Sequence, residues 1–148
     1  MGSDSSKVVA ERVKVYISGR DRLMYLLEAE VLEASPGYAR VAITVEDKHL
    51  NAAEVCHSGV LFSLSNTAFA LAGNSHGHLA LALEVSISFL RVARLGERVA
   101  AKAREEYLGR RTGFYIITVT NQEGKKIALV KGTSFCCKSL SPPGERIR

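Results

Sequence analysis

Asn51-Ala-Ala-Glu-Val-Cys-His57-Ser-Gly-Val-Leu-Phe-Ser-Leu-Ser-Asn66-Thr-Ala-Phe-Ala-Leu-Ala-Gly-Asn-Ser-His76-Gly77 is the stretch whose reading decides the fold. A polar loop runs into a long apolar segment. Ser58 suits the mouth of a helix as an N-cap, and Gly59 tolerates irregular backbone beside it. Val60 to Ala72 is apolar on most sides, so the helix from about Ser58 to Asn74 should be buried on most sides. Its small or polar positions, Ser63, Asn66, Thr67, Ala70 and Asn74, recur at helical spacing and share one stripe. A carboxamide in an otherwise buried helix is destabilising unless it finds a partner. Asn66 is therefore the residue that needs a reason.

Outward from this helix the chain reads as strands. Val8, Val9, Val13 and Ile17 allow a short amphipathic helix after a loose terminus at residues 1–6, with a further turn around Asp21 to Leu26. The expected role of this segment, 1–19, is packing over a sheet edge. Leu27 to Ala34 and Tyr38 to Val45 form a hairpin across Ser35-Pro36-Gly37, where Pro fixes one φ and Gly supplies the other. After the helix, Leu79 to Leu90 alternates Leu79, Leu81, Leu83, Val85, Ile87 and Phe89 on one face. Val99 to Tyr107, Phe114 to Thr120 and Lys126 to Cys137 follow, separated by the turns at Leu95-Gly96-Glu97, Gly109 to Gly113 and Asn121 to Gly124. Each strand offers one apolar face, and only one helix is long and apolar enough to cover it. The fold class is α+β: a hairpin, a helix and a four-stranded meander, giving an antiparallel sheet wrapped around one helix. The domain spans 20–138, and Ser141-Pro142-Pro143-Gly144 marks 139–148 as a disordered tail.

Composition narrows the function. The 148 residues suit one domain, and 47% hydrophobic with 24% charged is ordinary for a soluble globular chain. The net charge of +5 fits an anionic partner. No dense basic run with interleaved aromatics points to nucleic acid. Cys56, Cys136 and Cys137 make neither a disulfide framework nor a metal motif. No leader or apolar stretch of about 18 residues is present, so the expectation is a cytoplasmic protein with reduced thiols.

The central stretch resembles the hotdog-fold acyl-CoA thioesterases of the phenylacetic-acid-degradation type. Their pattern is an Asn, a His-Gly-Gly, and a helix carrying a carboxylate nine residues after the His; Asn51, His57 and position 66 keep those offsets. Thr67-Ala-Phe-Ala-Leu-Ala-Gly-Asn-Ser75, Phe89-Leu-Arg-Val-Ala-Arg-Leu-Gly-Glu97 and the run from Gly109 to Ser134 also match, and the likeness extends over roughly 20–137. The chain departs from the pattern at two places: Asn66 stands where the family has an acidic residue, and Ser58 replaces the first glycine. The resemblance implies the hotdog name for the fold and dimers with sites at their interface, joined as dimers of dimers into a homotetramer. It also implies hydrolysis of acyl-CoA, with aryl-acetyl-CoA as one candidate, and no cofactor beyond the coenzyme A of the substrate.

Thioester hydrolysis needs an oxyanion donor, an activator for water and a hold on the coenzyme. By the resemblance the donor is the backbone N–H of Ser58 at the helix N-terminus, a position where free amides and the helix dipole favour negative charge. The resemblance also implies that His57, beside Gly59, orients that loop and helps position the thioester, and that Asn51 lies near the nucleophile or the attacking water; Thr67 can contact the same site from the next position. For the coenzyme phosphates the candidates are Arg91, Arg110 and Arg111, with Arg94 nearby in sequence; the guanidinium fork suits phosphate oxygens. From sequence alone, Ser58 also reads as an ordinary N-cap, His57 as a neutral loop-bonding ring, Asn51 as an Asx-turn residue and each arginine as solvated surface. Position 66 decides activity, because an amide is neither basic nor nucleophilic near neutral pH. Three accounts stand open: an introduced carboxylate-to-amide change, a natural thioesterase that is slow or different, and a non-catalytic acyl-CoA binding or sensing module. A dehydratase-like relative is weaker, since those use a different motif.

Overall fold

The computed structural model describes residues 2–137. In chain order the elements are α1 (Gly2–Arg20), α2 (Arg22–Leu27), β1 (Glu30–Ser35), β2 (Tyr38–Thr44), a 3-10 turn (Asp47–His49), α3 (Ser58–Asn74), β3 (Leu79–Phe89), β4 (Arg98–Leu108), β5 (Thr112–Thr120) and β6 (Lys126–Cys137). The six strands form one antiparallel sheet in the order β1-β2-β4-β5-β6-β3. This sheet packs around α3.

The contact between sheet and helix follows from side-chain size. Leu61, Leu64, Ala68, Phe69, Leu71 and Ala72 of α3 are buried together with Val41, Ile43, Val99, Ala101, Ala103, Tyr115, Ile117 and Val119. The alanines of β4 leave room for the large helix side chains, as interdigitation at crystal-like density requires. Phe69 meets Tyr115 edge-on, with ring centroids 5.2 Å apart and planes at 70°. Gly132 of β6 lies under the same phenyl ring: a Cβ there would stand 2.9 Å from Phe69.

Both ends of α3 are tied down. At its C-terminal end the Ser75 hydroxyl donates to Ala72 O at 2.6 Å and accepts from Gly37 N at 2.7 Å, joining the helix to the β1–β2 turn. Gly37 takes a left-handed φ of +71°, as that turn requires. His76 Nε2 and the Tyr115 hydroxyl both meet Glu105 Oε2, at 2.7 and 2.9 Å. Asn74 belongs to this frame: it donates to Ala70 O and Ala80 O and accepts from Ala80 N in the first residues of β3.

Several expectations need correction. The four strands after α3 are not a meander. β3 lies at the far edge against β6, and β4 crosses back to pair with β2; alternation along a strand gives its faces and says nothing of its neighbours. β1 begins at Glu30 rather than Leu27, because α2 continues through Leu27 and is stopped by Glu28 in the left-handed region at φ +54°. The Asp21 side chain caps α2 by accepting from Met24 N at 2.9 Å. α1 reaches back to Gly2 through residues read as loose, and it buries Ala10 and Val13 while Val8 is exposed. It packs on β1, as expected of a cover for the sheet edge.

The alternation of β3 is also broken. Its pairing with β6 shifts between Ala82 and Glu84, so Leu83 is an extra residue in a bulge. A single insertion swaps the faces. Val85 and Ile87 pack on the core, whereas Leu81 and Leu83 are 54% and 64% exposed. The disordered tail expected at 139–148 lies outside the described residues.

Candidate active site at the N-terminus of the central helix

The loop from Val45 to His57 carries the chain from β2 to the tip of α3. Asn51 organises it. Its Oδ1 accepts from Ala53 N at 2.9 Å and Val55 N at 3.3 Å, and its backbone N–H donates to Val55 O at 2.9 Å. This is the Asx-turn reading of Asn51, and Glu54 inside the turn adopts φ +61°. Leu50 and Cys56 form an antiparallel bridge that closes the loop. Cys56 N then donates to Ala93 O at 2.8 Å, which docks the loop on the β3–β4 connection. Burial raises the Cys56 thiol from its ordinary 9.0 to about 11, so it is an inert filler rather than a nucleophile.

The helix is capped by His57, one residue earlier than the Ser58 N-cap expected from sequence. His57 Nδ1 accepts from Gly59 N at 2.8 Å, which leaves the proton of the neutral ring on Nε2. Gly59 allows this: a Cβ there would stand 3.0 Å from Nδ1 and 3.2 Å from Cε1. Val60 N and Leu61 N both donate to His57 O. Of the four first-turn amides, only the N–H of Ser58 has no acceptor among the described residues. The Ser58 side chain is exposed, so serine in place of glycine leaves that amide open.

Down the helix from Gly59, the half-buried positions Ser63, Asn66, Ala70 and Gly73 line one stripe at intervals of three or four residues. The opposite side carries the core. Ser63 and Thr67 spend their hydroxyl protons on Gly59 O and Ser63 O, at 2.8 and 2.9 Å. The Asn66 carboxamide makes no hydrogen bond among the described residues, and none of its polar atoms is sealed from solvent. It stands two turns below Gly59, about 10 Å along the axis. Asn66 and Thr67 are adjacent, with Thr67 turned a further 100° or so around the helix.

The arginines divide. Arg91 and Arg94 belong to the β3–β4 connection that receives Cys56, at the α3 N-terminal end. Arg110 and Arg111 lie in the β4–β5 turn. That turn adjoins the end of β6, on the side where Ser75 and His76 terminate α3. Within one chain they are therefore remote from Ser58 and from Arg91. Among the described residues no cluster of three His, Cys, Asp or Glu side chains could hold a metal. No described helix is long and apolar enough to cross a membrane.

Sequence reasoning missed two supports: His49, buried beneath the loop, and Ala93 O. Their roles depend on where two separate segments meet.

This geometry has relatives. Residues 53–128 match the family model described as thioesterase superfamily. The chain belongs to the thioesterase superfamily. A protein of Archaeoglobus fulgidus is 50% identical to this thioesterase-family chain over 135 residues, covering 91% of the chain and 88% of the relative. The acyl-coenzyme A thioesterase PaaI of Escherichia coli is 41% identical over 108 residues, 73% of this chain and 77% of that one. A solved structure of the E. coli PaaI protein, from the phenylacetic acid degradation operon, superposes with a TM-score of 0.88 at 34% identity, over 92% of this chain and 97% of that one. A hypothetical thioesterase of Streptococcus pneumoniae, solved with coenzyme A, gives 0.72 at 27% identity over 74% and 89%. The sheet wrapped on α3 is thus the hotdog arrangement, and the thioesterase resemblance of the central stretch holds across the domain.

Proposed function

We propose that this thioesterase-superfamily chain hydrolyses acyl-CoA thioesters to free acid and coenzyme A. The observation that carries the reading is the open Ser58 amide at the tip of α3. A thioester carbonyl oxygen accepting from that N–H sits at the positive end of the helix dipole. As water attacks, the oxygen gains charge and the bond strengthens, so the amide acts on the transition state; one such donor contributes about 3–4 kcal/mol. His57, locked to Gly59, keeps the first turn in place. Solvent takes the proton that the attacking water sheds; collapse of the tetrahedral intermediate then breaks the C–S bond, and the coenzyme thiolate takes a proton from solvent.

Activation of the water is the weak step. The unpartnered Asn66 carboxamide can accept from the water and hold it, but it cannot take its proton. The same side chain supports the second reading, an acyl-CoA binder with little turnover. Asn51 has its carbonyl engaged in the loop and its Nδ2 donors uncommitted among the described residues, which suits it to a supporting contact.

The pairing of two chains along β3 is part of the proposal. β3 leaves one edge unpaired, exposes Leu81 and Leu83, and flanks the half-buried stripe of α3. An antiparallel pairing of two β3 strands would set the helices head to tail. Arg110 and Arg111 of one protomer would then approach the Ser58 end of its partner, where coenzyme phosphates could meet them.

Thiol release from a panel of aryl-acetyl and aliphatic acyl-CoAs tests the chemistry in the unaltered chain and in Asn66→Asp. A carboxylate at this position should raise kcat by roughly 10²-fold or more, the usual yield of a positioned base. Tight acyl-CoA binding without thiol release from either protein supports the binder. Absence of binding by both overturns the proposed function.

A further inference from the structure

We propose that His49 is the positioning residue for the oxyanion donor: it fixes the tip of α3 relative to α2. The inference rests on the reading above that Ser58 N–H serves a thioester. His49 is 1% exposed, and such a polar ring needs every bond it makes. Its Nδ1 accepts from Glu46 N at 2.9 Å, so the neutral ring carries its proton on Nε2. Nε2 lies 2.9 Å from Leu27 O at the end of α2 and donates to it. Its backbone oxygen accepts from His57 N at 2.8 Å. One residue thereby links α2, the 3-10 turn and the N-cap of α3 in sequence.

The consequence falls on the amide next in line. The His57 N–H is held by His49, the His57 ring holds Gly59, and the peptide joining His57 to Ser58 presents the free N–H. With both ring bonds intact, the Leu27–His49–His57 path leaves that peptide little freedom to turn. Lose either ring bond and the 3-10 turn can rotate, carrying His49 O and the peptide plane with it. Because the Ser58 bond strengthens as charge develops, misplacing it lowers kcat rather than raising KM.

Two substitutions separate the ring bonds. His49→Asn retains an acceptor near Nδ1 and cannot reach Leu27 O. His49→Gln reaches the Nε2 position and loses the acceptor for Glu46 N. Each should lower kcat for acyl-CoA hydrolysis about tenfold, with KM within about twofold of the unaltered chain, as expected for a small loss of alignment. Amide hydrogen exchange, read on the same proteins, should quicken about tenfold at Gly59 to Leu61, whose N–H groups bond to His57, and remain unchanged from Leu64 to Leu71. Unchanged exchange at Gly59 to Leu61 overturns the proposal, as does faster exchange along the whole helix, which would make His49 a general stabiliser. Unchanged kcat in proteins that do turn over overturns it as well. If the unaltered chain and both variants all fail to release thiol, the proposed function fails instead, and the exchange data alone decide the role of His49.

Discussion

His57 caps α3 with a ring nitrogen where serine was the stronger expectation from residue preference. Preference tables rank side chains singly, whereas this cap depends on Gly59 leaving space for a ring to fold back. The spacing of Asn51, His57 and position 66 was legible because it is a property of sequence alone. The lack of a partner for Ser58 N–H and for the Asn66 carboxamide among the described residues was not, since both are statements about what other groups fail to reach. Cys56 yields a prediction at this scale. Its folded thiol titrates near 11 against an ordinary 9.0, so the folded state favours the protonated form. The associated stability is complete below pH 9 and is lost as pH rises through 11. Melting temperatures from pH 7 to 11 should fall along the upper part of that range in the unaltered chain. Cys56→Ala should show a shallower decline, the remainder belonging in part to Tyr115, whose phenol is also pushed up by burial and by Glu105.

At the scale of elements, α3 was readable in both limits, Ser58 to Asn74, because its apolar run is long and its neighbours are polar. β6 was likewise placed at Lys126 to Cys137. The extent of β3 is legible in the sequence and its faces are not, because an inserted residue leaves no mark in a row of leucines and alanines. Packing between elements is tight where Phe69 meets Tyr115 of β5 and Gly132 of β6. Gly132→Ala would put a Cβ 2.9 Å from the ring, and the ring is already fixed against Tyr115. Overpacking of this kind destabilises by about 1–3 kcal/mol. The denaturant midpoint should fall accordingly with the slope unchanged, while Gly124→Ala, whose φ of +76° is strained but whose surroundings are open, should act through the backbone alone.

For the whole molecule, the sheet order decides which edge is free. α1 covers β1 at one side, and β3 ends the sheet at the other with its leucines outward. Long apolar edge strands invite pairing, and a charge on them suppresses it. Leu81→Lys combined with Leu83→Lys should convert a dimer to a monomer in light scattering behind size exclusion. The fold, read by circular dichroism, should be retained, since neither side chain belongs to the core. An unaltered chain that is monomeric at micromolar concentration would remove the proposed interface.

The helix is pinned at its two tips by independent bonds, through His57 and its supports at one end and through Ser75 and His76 at the other. Axial sliding would break both sets together, so α3 behaves as a fixed ruler rather than a piston. Tolerance for acyl groups of different bulk then has to come from what projects sideways at Ser63, Ala70 and Gly73, where enlarging one side chain would shorten the room on offer without moving the reacting end.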